Sequence, residues 1–230
     1  MLDFDYLIIS NQIFQAEQMK ETLAFFSRMG IKKFIITYNV DLSYQSFRRS
    51  LAQIKKIQTT LSSVCPKGTS ALVYPMLLLS KDAVKNPYLP SFAFGGSKII
   101  LTQLPWIQLS DTDSWLDENL NCLVRKNHIT PIFISFEQFA RLNSSEVVQH
   151  LIHSSGLSFG LDLNCMTATE SLWFMEQAII QNIFVYPVLS NELSCYRGIE
   201  KAMGSFKERI GRAKYVQLCR MMHMAGLLLK

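Results

Sequence analysis

Short apolar runs alternate with longer stretches of helical period along the whole chain. Tyr-Leu-Ile-Ile at 6–9 reads as a first strand. Over 16–29, Met19, Leu23, Phe26 and Met29 recur at three- and four-residue spacing, which predicts one buried helix face. Gly30 then stands where a C′ glycine ends a helix. Phe-Ile-Ile-Thr at 34–37 predicts a second strand. A helix follows over 43–64, with Phe47, Leu51, Ile54 and Leu61 on one side and Arg48, Arg49, Lys55 and Lys56 on the other. The run 71–79 reads as a third, fully buried strand, and 99–102 as a fourth. Between them lies a loop marked by Pro87, Pro90, Gly95 and Gly96, which is expected to cover one end of the fold.

The second half keeps this rhythm. Ser110 can cap a helix that runs to about 126, its first turn holding Asp111 and Asp113. Strands are expected over 131–135, 157–163 and 183–186, helices over 147–153 and 169–181, and helical material from about 196 to 229. Strands buried on both faces and joined by helices predict a parallel sheet. Six or seven such units suit a compact (β/α) barrel better than a Rossmann sheet, and no G-x-G-x-x-G follows the first strand.

Composition supports one domain spanning 1–230. Of the 230 residues, 49% are hydrophobic and 18% charged, which excludes a disordered chain. The longest apolar run, 71–79, is nine residues, short of the about 20 that cross a bilayer, so no membrane span is expected. No basic flank precedes an apolar stretch at the start, and the five cysteines form no C-x-x-C pair. A cytoplasmic protein with reduced thiols is therefore expected. Residues 1–204 hold 17 Lys/Arg against 17 Asp/Glu, so the net charge of +5 comes from 205–230. That segment is read as a helix packed on the barrel with a basic outer face. It carries no aromatic ladder or arginine-rich run, so a nucleic-acid partner is not expected, and an RNA-binding subunit stands as one alternative.

In a barrel of this type, functional side chains stand at the C-terminal ends of the strands. Those ends supply Ser10, Asn11, Tyr38, Asn39, Asp41, Gln103, Trp106, Ser135, Glu137, Gln138, Asp162, Asn164, Ser190, Asn191 and Glu192. None of the four histidines, 128, 150, 153 and 223, falls there. His150 and His153 are read as a solvated helix face, Cys122 as a structural thiol, and Gly-Gly-Ser-Lys at 95–98 as a turn. Asp111, Asp113, Asp117 and Glu118 are read as acids balancing a helix dipole, and Met221, Met222 and Met224 as packing.

The order of these strand ends resembles the PHP (polymerase and histidinol phosphatase) superfamily, in particular its bacterial capsular-polysaccharide tyrosine phosphatases. The family's opening Met-x-Asp-x-His-x-His is matched by Met-Leu-Asp-Phe-Asp-Tyr-Leu at 1–7. Its strand closing on Thr-Pro-His is matched by Gly-Ile-Lys-Lys-Phe-Ile-Ile-Thr-Tyr-Asn at 30–39. Its Thr-Pro-Ile-x-x-His-Pro-Glu-Arg-Tyr is similar to Thr-Pro-Ile-Phe-Ile-Ser-Phe-Glu-Gln-Phe at 130–139, and its final Ser-Asp-x-His-Asn falls within 186–192. The resemblance implies a (β/α)7-like distorted TIM-type barrel. It also implies that the family's metal-holding histidines and acids fall on Asp5, Leu7, Asn39, Ser135, Leu189 and Asn191, with the bridging glutamate near Pro75 or Met76. Leucine cannot ligate a metal, and Asn or Ser offers only a neutral oxygen. The expectation is thus a phosphatase-like pseudoenzyme with no cofactor, serving as a scaffold for a protein partner or a small anionic ligand. Its degenerate strand-end pocket comprises Asp3, Asp5, Asn39, Ser135, Glu137, Asn191 and Glu192. The competing expectation is a metal-dependent, protein tyrosine phosphatase-like phosphoesterase that holds a single Mg²⁺ or Mn²⁺ through oxygen ligands from Asp3, Asp5, Glu137 and Glu192, with Asn39 and Asn191 assisting.

Overall fold

The structure is a computed structural model, and it describes residues 4–10, 15–40, 42, 47–110, 114–154, 157–166, 169–181, 183–190 and 198–229. Seven parallel strands close into a barrel in sequence order: β1 (Tyr6–Ser10), β2 (Lys33–Val40), β3 (Ser70–Leu78), β4 (Ile99–Gln103), β5 (Thr130–Ile134), β6 (Ser158–Asp162) and β7 (Val185–Ser190). Around them run α1 (Ala16–Arg28), α2 (Phe47–Val64), the short α3 (Lys81–Val84), α4 (Trp115–Leu120), α5 (Phe136–Leu142), α6 (Ser145–His153), α7 (Thr169–Gln181), α8 (Ile199–Ile210) and α9 (Arg212–Leu227). The predicted Gly30 terminator is in place: its φ of 104° lies where only glycine sits without strain, and its amide bonds the Ser27 carbonyl at 3.1 Å. The fourth helix departs from expectation. It passes at Asn121 into a π-helical turn ending at Lys126, closed by the Asn127 side chain on the Cys122 carbonyl at 3.0 Å.

The pleat divides the strand residues between two cores. Tyr6, Ile8, Ile35, Met76, Leu101, Ile132, Ile134, Tyr186 and Val188 fill the barrel. Leu7, Ile9, Phe34, Ile36, Phe133, Phe159, Leu161 and Leu189 face outward under the helices, against side chains such as Met19, Leu23, Phe26 and Phe174. Gly160 has no room for a methyl, because a Cβ there would meet Val188 Cγ2 at 2.5 Å.

The segment between β3 and β4 runs down the outside of the barrel as a helix would. Only its far end covers an opening. There Phe94 enters the inner core against the Tyr74 ring, at 4.1 Å between centroids. The last helix closes the same end. Ala225 and Leu229 belong to the inner core, and the Tyr6 hydroxyl donates to the Met222 carbonyl at 2.9 Å. The end where the strands begin is therefore plugged, and the opposite mouth, where they finish, carries the polar strand ends. Among the described residues no helix is long and apolar enough to cross a membrane.

Candidate functional site

All seven strands end at the mouth, and β1, β2, β5 and β6 bring buried polar groups to it. Ser10, the last residue of β1, is buried, with its hydroxyl against the Met76 sulfur at 4.0 Å. On β2 the Thr37 hydroxyl and the Asn39 carbonyl oxygen are both buried with no hydrogen-bond partner. Ser135 follows β5 directly. Its φ of 61° puts it in the left-handed region, and that turn swings the chain into α5 and sets Glu137 over the strand ends.

Glu137 is buried, 2% exposed, and its Oε1 accepts the Asp162 backbone amide at 2.9 Å. Its Oε2 is buried with no partner. Burial pushes this carboxyl from the ordinary 4.5 up to about 7. The Asp162 charge adds to the rise, while the bond from the Asp162 amide opposes it. Asp162 ends β6 and folds its carboxylate onto the next turn. Oδ1 accepts the Asn164 amide at 3.0 Å, and Oδ2 accepts the Cys165 thiol at 3.7 Å. Burial first, then the Asp162 charge, pushes the Cys165 thiol up to about 12, so it stays protonated at neutral pH.

Of the residues predicted to form the pocket, Asn39, Ser135 and Glu137 do stand at the mouth. Asp3, Asn191 and Glu192 lie outside the described residues. Asp5 is a correction. It is exposed and sits immediately before β1, where its carbonyl accepts the amides of Lys32 at 2.8 Å and Lys33 at 3.0 Å. Lys33 opens β2 and Asn39 nearly ends it, so Asp5 is about 20 Å below the mouth at about 3.3 Å per residue. Asp5 and Glu137 cannot share an ion. Leu7, where the resemblance places a histidine, and Leu189, where it places the final aspartate, belong to the outer core and do not face the mouth at all. The residue of β1 that does is Ser10. Asp162 and Cys165 were not in the predicted pocket. Asp162 was legible as an acid ending a run buried on both faces, and Cys165 enters only through the turn that Asp162 makes.

Of the other candidates, Asp111 and Asp113 lie outside the described residues, and Asp117 meets His150 but not His153. His150 Nε2 lies 2.7 Å from Asp117 Oδ1 on the outer surface, whereas His153 bonds the Gln149 carbonyl and the Gln181 side chain. Cys122 is half-buried against the Val84 carbonyl at 3.5 Å. Among the described residues no three His, Cys, Asp or Glu side chains come together as a metal-holding set. A cluster of two or three ions needs several imidazole or carboxylate donors aimed at one point. At the described mouth Asn39 and Ser135 are neutral, Glu137 is turned onto an amide, and Asp162 is turned onto its own loop, so these residues do not fit such a cluster.

No family model matches the sequence, and no curated protein matches it. Among solved structures, one from the pair YwqE of Bacillus subtilis and CpsB of Streptococcus pneumoniae, metal-dependent tyrosine phosphatases, is 13% identical. It superposes at a TM-score of 0.63 over 95% of this chain and 88% of that one. A phospho-2-dehydro-3-deoxyheptonate aldolase from Thermotoga maritima is 11% identical at a TM-score of 0.49, over 90% of this chain and 69% of that one. At such identity the first likeness shows the fold alone, and that fold is the barrel implied by the sequence resemblance.

Proposed function

We propose that this chain is a catalytically silent relative of the barrel phosphatases it resembles, a pseudoenzyme whose fold serves as a scaffold for a protein partner. One observation carries the reading: Glu137, the buried acid at the mouth, is turned by one oxygen onto a backbone amide of the protein itself. Its Oε1 holds the Asp162 amide and its burial favours the neutral acid, so it is poorly disposed to ligate a cation. The neighbouring positions that the resemblance gives to imidazole are Asn39 and Ser135, whose oxygens bind divalent ions weakly. The Asp162 carboxylate there also disfavours a small anion, which leaves a protein partner as the better-supported ligand. This reading places the chain in the cytoplasm, where its thiols remain reduced.

Dialysis of the purified chain against Mn²⁺, Mg²⁺ and Zn²⁺, followed by elemental analysis, tests the proposal. Sub-stoichiometric metal after removal of free ions is the expected result. One or more tightly held ions per chain, lost in Asp162→Asn, would overturn it.

A further inference from the structure

The net positive charge of the molecule is concentrated where its exposed apolar surface is also concentrated. Four of the eleven large exposed apolar side chains among the described residues, Val216, Met224, Leu227 and Leu228, lie on α9 and the residue after it. At 100° per residue, Val216, Leu227 and Met224 share one arc of the helix with Arg212, Arg220 and His223. The opposite face, with Tyr215, Leu218, Met222 and Ala225, is buried on the barrel. Where α8 and α9 meet, this arc forms a groove of about 590 Å³ with Val216, Cys219 and Met224 in it and Lys207, Arg212 and Arg220 around it. Lys207 leans over the Tyr215 ring at 5.0 Å, and Lys214 is held by Glu176 at 2.7 Å. Among the described residues no carboxylate pairs with Arg212 or Arg220. The single acid in 205–230 is Glu208.

From this juxtaposition we infer that the α8–α9 groove is a docking site for an acidic amphipathic helix of a partner protein. The apolar floor takes the partner's leucine-type face at i, i+3, i+4 and i+7, and the arginines meet glutamates along its edges. Two other anionic classes fit less well. A bilayer needs a protruding apolar face, whereas this one is concave and its helix is already packed on its other side. Nucleic acid wants exposed aromatic platforms such as Phe, Tyr or Trp, and the Tyr215 ring in the groove is buried under Lys207. The groove is lined by residues of α8 and α9 and by none of the mouth residues, so the inference stands whether or not the mouth is silent.

A fluorescein-labelled synthetic helix of about 16 residues, the length of α9, with leucines at those spacings and glutamates elsewhere, is the probe. Its anisotropy is titrated with the full chain, beside a scrambled peptide of the same composition, oligouridine RNA and phosphatidylglycerol vesicles. The expected result is binding about tenfold tighter than the scramble, weakening with salt, and reduced about tenfold by Arg212→Glu/Arg220→Glu and separately by Met224→Glu. All three substitutions are at exposed positions, and far-ultraviolet circular dichroism checks that each variant is folded. Hydrogen exchange should show protection by the peptide confined to α8 and α9. Equal binding of the scramble, indifference to both variants, or tighter binding of RNA or vesicles would each overturn the proposal.

Discussion

At the scale of single residues, Glu137 has the clearest measurable signature. Its carboxyl rises from 4.5 to about 7 on folding because burial disfavours the charge. Between those two values the folded state binds more protons than the unfolded chain, so stability falls as pH rises through that window. Below pH 4.5 the group adds no penalty, and above about 7 the penalty is complete, on the order of 3 kcal/mol. Glu137→Gln keeps an oxygen to accept the Asp162 amide and removes the ionisation. Urea denaturation should therefore show the variant more stable than the parent at pH 8, with the gap closing by pH 4. A gap that is constant across that range would contradict the assignment. Glu137 was legible in the sequence because the strand it follows is apolar and ends two residues before it. Its bond to the Asp162 amide was not legible, since that contact spans 25 residues and depends on the left-handed turn at Ser135.

At the scale of elements, α9 is seated by one close approach. A Cβ at Gly226 would lie 2.5 Å from Tyr6 Cε1 and 2.6 Å from Cδ1. That ring cannot swing aside, because its hydroxyl is bonded to the Met222 carbonyl and its face meets Tyr186 edge-on at 6.3 Å. Alanine gains about 1 kcal/mol of helix propensity over glycine, but overpacking costs about 1–3 kcal/mol. Gly226→Ala is thus expected to lower stability in chemical denaturation, and Tyr6→Phe to lower it by about 1 kcal/mol through the lost hydrogen bond. A neutral or stabilising Gly226→Ala would mean that α9 does not plug the barrel this way. The helices themselves were unevenly legible. α1 and α2 showed clear periodic faces. α5, only seven residues, gave too few turns for a period to appear. The terminal helical stretch looked continuous until Gly211, with φ of 81°, divided it into α8 and α9.

At the scale of the whole molecule, the alternation of buried runs and helical segments was enough to predict the barrel, since parallel strands must be buried on both faces. Part of the site was not carried by that pattern. Matching 1–7 to a family motif put Asp5 and Leu7 at the mouth, but β1 begins only at Tyr6, and the pleat turns Leu7 outward and Ser10 inward. Strand phase, rather than motif alignment, locates the mouth residues, and it points to Ser10, Asn39, Glu137 and Asp162. That set holds two acids, both engaged within the protein, and no imidazole. On the function proposed above, such a mouth does not hydrolyse a phosphoester. The most direct measurement is release of p-nitrophenol from p-nitrophenyl phosphate with Mn²⁺, Mg²⁺ or Zn²⁺ added in excess. No turnover above the metal-only blank is expected at any pH from about 5 to 9, a span that brackets the Glu137 titration. Metal-dependent turnover that co-purifies with the chain and disappears in Asp162→Asn would contradict it.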